Sequence, residues 1–334
     1  MRDRQYGADV AGETPKVRPT IMMANGLLLL FVATLQLCGS LLMVISLIPG
    51  ADIRTIHMNA ATTFYVLSIL VPLIFYWRRH PGATDAMRMV RPRTKHVVLA
   101  ALAVPLGLLL SARIALLWGI GIESMGWKIS QSTLFIGKGP MGAFIAFIGI
   151  AFVPAVCEEL LCRGVLLSAY ERNGSVRALL LVSLLFALMH ASVGGFLVHF
   201  LLGLVLGFLA VSTGSIVVPM VYHFFHNTLI VMLTLAMSDA QLAQASEVTS
   251  LYQVAGGTAG MLKMLIEVLV MLVFYGLLML AISSDRERSG RPFGIARPAR
   301  TTPSSWKEQI VLLSAVVTMG VQMIWAILYA AGVI

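Results

Sequence analysis

The sequence is short of charge. Asp, Glu, Lys and Arg make up 12% of its 334 residues, while 58% are hydrophobic. Soluble domains carry roughly 25% charged residues. A chain this poor in charge cannot cover itself with a water-facing surface, so the soluble globular class is excluded and a polytopic membrane protein is indicated. Cysteine is scarce too. Cys38, Cys157 and Cys162 lie in apolar runs without a C-x-x-C pair, which argues against a disulfide framework or a zinc knuckle; they read as small buried hydrophobes. There is no His-Glu-x-x-His motif, no internal repeat and no low-complexity segment. The first twenty residues are polar and lack the short apolar core of a cleavable signal, so the first apolar run is expected to be a retained span. Acidic residues are outnumbered 15 to 24, giving a net charge of +9. That excess does not call for nucleic acid. With alternating crossings, 18 of the 24 Lys and Arg fall on one side of the membrane, which the positive-inside rule explains. The expected partner is the lipid bilayer, with no nucleic acid.

What the chain does have is a succession of apolar runs. They predict an all-α fold, a polytopic membrane helical bundle with about nine transmembrane helices: 21–48, 56–77, 97–120, 141–170, 176–190, 196–212, 216–237, 261–283 and 310–329. Breakers separate them, among them Pro49-Gly50, Glu171-Arg172-Asn173-Gly174-Ser175, Gly194-Gly195 and Thr213-Gly214-Ser215. The organisation expected is a cytoplasmic tail (1–20), N-terminal transmembrane helices (21–140), a polar-bearing core (141–237) and C-terminal transmembrane helices (238–334). The N-terminus is expected in the cytoplasm and the chain in the cell membrane. Basic loops at 78–95, 172–177 and 286–307 then share the cytoplasmic side, and Asp239 and Glu247 lie in an outer loop.

Into this apolar background the stretch Cys157-Glu158-Glu159-Leu160-Leu161-Cys162-Arg163 brings three ionisable residues within six positions. A charge near the bilayer centre costs about 2.5–3.5 kcal/mol on insertion scales, so such residues usually serve a function. Glu159 and Arg163 are four apart and can pair along one helix face. Glu158 points about 100° away. Arg163 is therefore expected to hold Glu159, leaving Glu158 for chemistry. His190 and His223 are expected at comparable depth on two other helices, and Asn227 shares a face with His223. Two lone histidines, His199 and His226, read more simply as bonded within the bundle, and Arg113 as snorkelling or paired. A carboxylate and a histidine flanking a water can take its proton and deliver hydroxide to a carbonyl. A second histidine with an amide can donate to the oxyanion. Glu158 with His190 fits the first role, and His223 with Asn227 the second. A metal alternative uses the same side chains: Glu158, His190 and His223 as a zinc site with an open position for water. Spacing leaves the two open.

Three motifs in order, Glu158-Glu159-x-x-x-Arg163, Phe186-x-x-x-His190 and His223-x-x-x-Asn227, resemble those of the CPBP family, the CAAX prenyl proteases and bacteriocin-processing enzymes also called Abi proteins. Gly203-x-x-x-Gly207, the Thr213-Gly214-Ser215-Ile216 turn and Pro219 agree with that family's spacing. The resemblance covers about residues 141–237. It implies an intramembrane endopeptidase in which Glu158 and His190 activate water, His223 and Asn227 stabilise the oxyanion, and Glu159 and Arg163 support the site. It implies a peptide or membrane-protein substrate, and either a metallo-dependent (Zn2+) or a metal-free glutamate mechanism. Other classes compatible with these residues are a non-catalytic membrane scaffold or immunity factor and a proton-coupled transporter. The transporter would show an inverted repeat, which the sequence lacks.

Overall fold

The computed structural model describes residues 18–45, 48, 62–64, 66–80, 82–127, 139–238, 241, 250–288 and 305–330. Those residues form helices and no strand. We number the main ones α1 (Ile21–Ile45), α2 (66–79), α3 (Thr94–Ser124), α4 (Gly139–Tyr170), α5 (Ser175–Leu188), α6 (Phe196–Thr213), α7 (Val217–Ala236), α8 (Gly257–Arg288) and α9 (Trp306–Ala330). Each of the nine predicted apolar runs is thus mainly helical where it is described; the fifth stops at Leu188, so that His190 lies in the turn beyond it. Among the described residues, seven helices are long and apolar enough to cross a membrane, and α5 falls short of that length. The early part of the second predicted helix, Pro49-Gly50, most of the tail, Asp239 and Glu247, and most of the loop after α8 lie outside the described residues.

Composition explains the exposed faces. On α8, Leu262, Leu265, Ile266, Leu269 and Val273 are exposed, and on α9 Ile310, Leu313, Val317, Val321 and Ile324. The spacing of three and four puts each set on one helix face. Such stripes suit hydrocarbon and would be aggregation sites in water. The chain is an integral membrane protein with an all-α bundle.

The bundle is arranged around α4, whose residues 157–170 are all buried. It touches α1, α2, α5, α6 and α7, while α8 packs on α3 and α6, and α9 on α1 and α5. One polar clamp joins the first, fourth and last helices. Tyr170 Oη donates to Asn25 Oδ1 at 2.6 Å, and Asn25 Nδ2 donates to the Glu308 carbonyl at 2.8 Å. The segment after α2 docks onto two turns at the same end of the bundle. Arg88 pairs with Glu171, Ser168 Oγ donates to the Ala86 carbonyl (2.8 Å), and Ser215 Oγ donates to the Val90 carbonyl (2.6 Å). Two of the predicted basic loops therefore meet at one end.

Two irregularities position the site. First, α4 is π-wound over Phe147–Phe152 and again over Leu160–Leu166, on either side of the α-helical Val153–Glu159. Such turns concentrate at functional positions. Asn227 Nδ2 of α7 donates to the Ile150 carbonyl at 3.0 Å, within the first π-wound stretch and close before Pro154, which has no N–H of its own to offer. Second, α5 has 14 residues, about 21 Å at 1.5 Å per residue, short of a hydrocarbon core of about 30 Å. It stops inside the bundle at Leu188. Irregular backbone at that depth is tolerated where protein or a polar cavity surrounds it, and here Trp118 Nε1 donates to the Val193 carbonyl at 2.8 Å.

Candidate active site

The pairing expected from helical spacing is present. Arg163 Nη1 donates to Glu159 Oε1 at 2.9 Å, with both side chains at most 1% exposed. Of the other polar atoms of this buried pair, Arg163 Nε and Glu159 Oε2 have no hydrogen-bond partner among the described residues. Arg163 Nη2 donates to the Gly203 carbonyl of α6 at 2.9 Å, and the guanidinium lies 4.7 Å from the centre of the Phe186 ring of α5. From α7, His223 Nδ1 donates to the same Glu159 Oε1 at 3.0 Å. The pair therefore ties α4, α5, α6 and α7 together around one carboxylate oxygen. Gly203 permits this closeness: a Cβ there would sit 3.0 Å from Ser183 Cα on α5.

Glu158, one residue earlier, turns to a different neighbour. Its side chain is 3% exposed, and its Oε2 lies 3.9 Å from His190 Nε2. His190 owes its place to the end of α5. The His190 backbone N–H bonds to Ala187, three residues back, which leaves the Phe186 carbonyl to the His190 ring; Nδ1 reaches it at 2.6 Å. A histidine closing its own helix terminus in this way is a familiar use of the last turn. Because a carbonyl only accepts, Nδ1 carries the hydrogen, and Nε2 of the neutral ring offers a lone pair toward Glu158. The same logic applies to His223: Nδ1–H is committed to Glu159, and Nε2 is left for the site.

Asn227 is held at both ends. Its Nδ2 donates to the Ile150 carbonyl at 3.0 Å, and its Oδ1 accepts from His226 Nδ1 at 3.4 Å. One of the two amide hydrogens is therefore spent on α4, and the other remains to be used. Glu159, Arg163 and His223 are brought into one contact network, Glu158 and His190 into another beside it, and Asn227 one helical turn beyond His223.

Other groups at the site escaped sequence reasoning. His199, read as a lone packing residue, stacks on His190 with ring centres 4.0 Å apart at 20°. A signal existed: His199 and Gly203 are four apart, so the histidine shares the face that approaches α5. Trp118 gave no sequence cue. Arg113 pairs with Glu267 of α8 at 2.9 Å, away from the site. Among the described residues, no group of three His, Cys, Asp or Glu side chains could hold a metal ion. Nδ1 of His190 is bonded to the Phe186 carbonyl and Nδ1 of His223 to Glu159, which leaves both Nε2 atoms to the site, and no chemical step below is routed through a metal.

Residues 140–229 match the family model described as type II CAAX prenyl endopeptidase Rce1-like. No curated protein and no solved structure matches the chain.

Proposed function

We propose that residues 140–229, which match the type II CAAX prenyl endopeptidase Rce1-like model, form the core of an intramembrane endopeptidase of the CAAX protease (CPBP) family that uses Glu158 and His190 to activate water. The observation that supports this most directly is the 3.9 Å separation of Glu158 Oε2 and His190 Nε2. That gap is too long for a direct bond, yet one water oxygen at about 2.8 Å from each can span it. The water oxygen attacks the peptide carbonyl carbon while its proton passes to the Glu158 carboxylate. The carbonyl π electrons move to oxygen, giving a tetrahedral oxyanion. Glu158 then returns the proton to the departing nitrogen as the carbonyl re-forms and the C–N bond breaks, leaving a new carboxylic acid and a free amine.

In this reading the oxyanion faces His223 and Asn227. For His223 to donate from Nε2 while Nδ1–H serves Glu159, the ring must carry both hydrogens. Asn227 contributes its second amide hydrogen. Preorganised donors of this kind are each worth about 10²–10³ in kcat. The end carrying Arg88, Arg172 and Arg177 is placed in the cytoplasm by its positive charge, with the N-terminus on that side and the chain in the cell membrane. The first substrate class to try is the family's own, a prenylated CAAX tail, against the same peptide without the lipid.

The test is cleavage of such peptides by protein reconstituted in lipid vesicles. Glu158→Gln and His190→Ala should each lower turnover by about 10²–10⁴ while the purified variants keep the wild-type helical spectrum and melting behaviour. Wild-type turnover by Glu158→Gln would overturn the mechanism, and complementation of a null strain by that variant would favour a scaffold.

A further inference from the structure

We propose that His199 is a positioning residue for His190, setting the plane of its ring from across the turn that joins α5 to α6. The inference rests on the role given to His190 above and concerns a residue that none of the three motifs contains.

His190 needs such help. It lies beyond the last residue of α5, where the helix no longer confines it, and 24% of its side chain is exposed, against 3% or less for Glu158, Glu159 and His223. The Nδ1 bond to Phe186 fixes one ring atom but leaves the ring free to swing about it. Two other rings restrict that swing. Phe186 lies 4.7 Å away at 55°, and His199 lies 4.0 Å away at 20°. The second is a near-parallel stack, so it determines the plane in which Nε2 can point. Ring contacts of this sort favour one orientation by about two- to tenfold.

The intervening chain is built to bring His199 back. Ala191, the residue after His190, has φ +45°, a left-handed conformation that a side-chain-bearing residue rarely adopts. The resulting turn is fastened twice. Trp118 of α3 donates to the Val193 carbonyl at 2.8 Å, and the Gly195 N–H donates to Ser192 Oγ at 3.0 Å. Gly195 is also where the stack meets its tightest constraint. A Cβ there would come within 2.7 Å of His199 Cε1 and 2.9 Å of Ser192 Oγ. Any side chain at 195 must displace either the His199 ring or the turn. Strain of this kind, stored next to a reacting group, persists where the surroundings enforce it.

Three variants test the inference, each measured as kcat and KM per folded enzyme in vesicles beside Glu158→Gln. His199→Ala removes the flat partner and should lower kcat by up to about tenfold, the bias that such a ring contact supplies, with KM changed less than about twofold. His199→Phe restores a flat ring and should recover most of that loss. Gly195→Ala, which replaces no ring, should reproduce the kcat defect by moving His199. Full kcat in His199→Ala overturns the proposal. So does a His199→Phe variant as slow as His199→Ala, because the imidazole nitrogens and not the ring plane would then matter. A fall in folded yield with unchanged kcat also overturns it, by showing a purely structural role. Loss of activity in Glu158→Gln alongside a fully active His199→Ala would sink this inference alone. An active Glu158→Gln would sink the mechanism beneath it.

Discussion

Replacing Arg163 with Met tests whether the buried ion pair is the structural centre of the site. The wild-type guanidinium satisfies Glu159 and the Gly203 carbonyl, each at 2.9 Å, from a position 1% exposed. Two magnitudes compete. If these contacts behave like average interhelical hydrogen bonds in a membrane protein, each is worth about 0.6 kcal/mol and the variant loses little more than 1. If removing Arg163 strands a buried carboxylate, the loss is about 3–5 kcal/mol. We expect the lower end of that range, near 3, because His223 still donates to Glu159 at 3.0 Å. Reversible denaturation in mixed micelles, analysed by linear extrapolation, gives the number. The double variant Glu159→Gln/Arg163→Met should be more stable than Arg163→Met alone, since the stranded charge is gone, with a coupling energy of about 1–3 kcal/mol. A loss below about 1 kcal/mol in Arg163→Met, or strict additivity in the double variant, would refute the reasoning.

Other outcomes follow from the same geometry. Asn227→Ala should lower kcat about 10²–10³-fold and destabilise the fold by about 1–3 kcal/mol through the uncovered Ile150 carbonyl. Melting and turnover measured on the same samples separate the two. Gly203→Val presses side-chain atoms onto Ser183 and should cost about 1–3 kcal/mol of overpacking, read as a lower denaturation midpoint; an unchanged midpoint refutes the close α5–α6 approach. Exhaustive chelation of purified enzyme should leave peptidase activity intact. Loss of activity that Zn2+ alone restores would reinstate the metal reading.

Much of this was legible in the sequence because its signals are local. Apolar runs of helical length announced the helices, and the four-residue step from Glu159 to Arg163 announced their pairing without any tertiary knowledge. The helix ends were less legible. α3 and α8 run past the predicted bounds because charged residues such as Lys95 at their margins can stay helical while their heads reach out of the bilayer. The groups that complete the site were hidden for a different reason. The Gly203 and Ile150 carbonyls are backbone atoms with no sequence label, and His199 acquires meaning only once the left-handed turn at Ala191 folds it back onto His190. Sequence spacing can put a side chain on a helix face. It cannot say which neighbouring helix that face will meet.

The clamp at Asn25 sets a timetable for biogenesis. Its amide waits 283 residues for the Glu308 carbonyl, about 15–60 seconds at translation rates of 5–20 residues per second. Until then the earliest span holds a polar group in lipid that Tyr170 alone can partly satisfy. A chain ended after residue 304 should therefore be degraded faster in pulse-chase labelling than the full-length protein, though its catalytic motifs are complete. α9 thus completes a contact begun at α1, and a chain cut before it leaves the Asn25 amide without the Glu308 carbonyl.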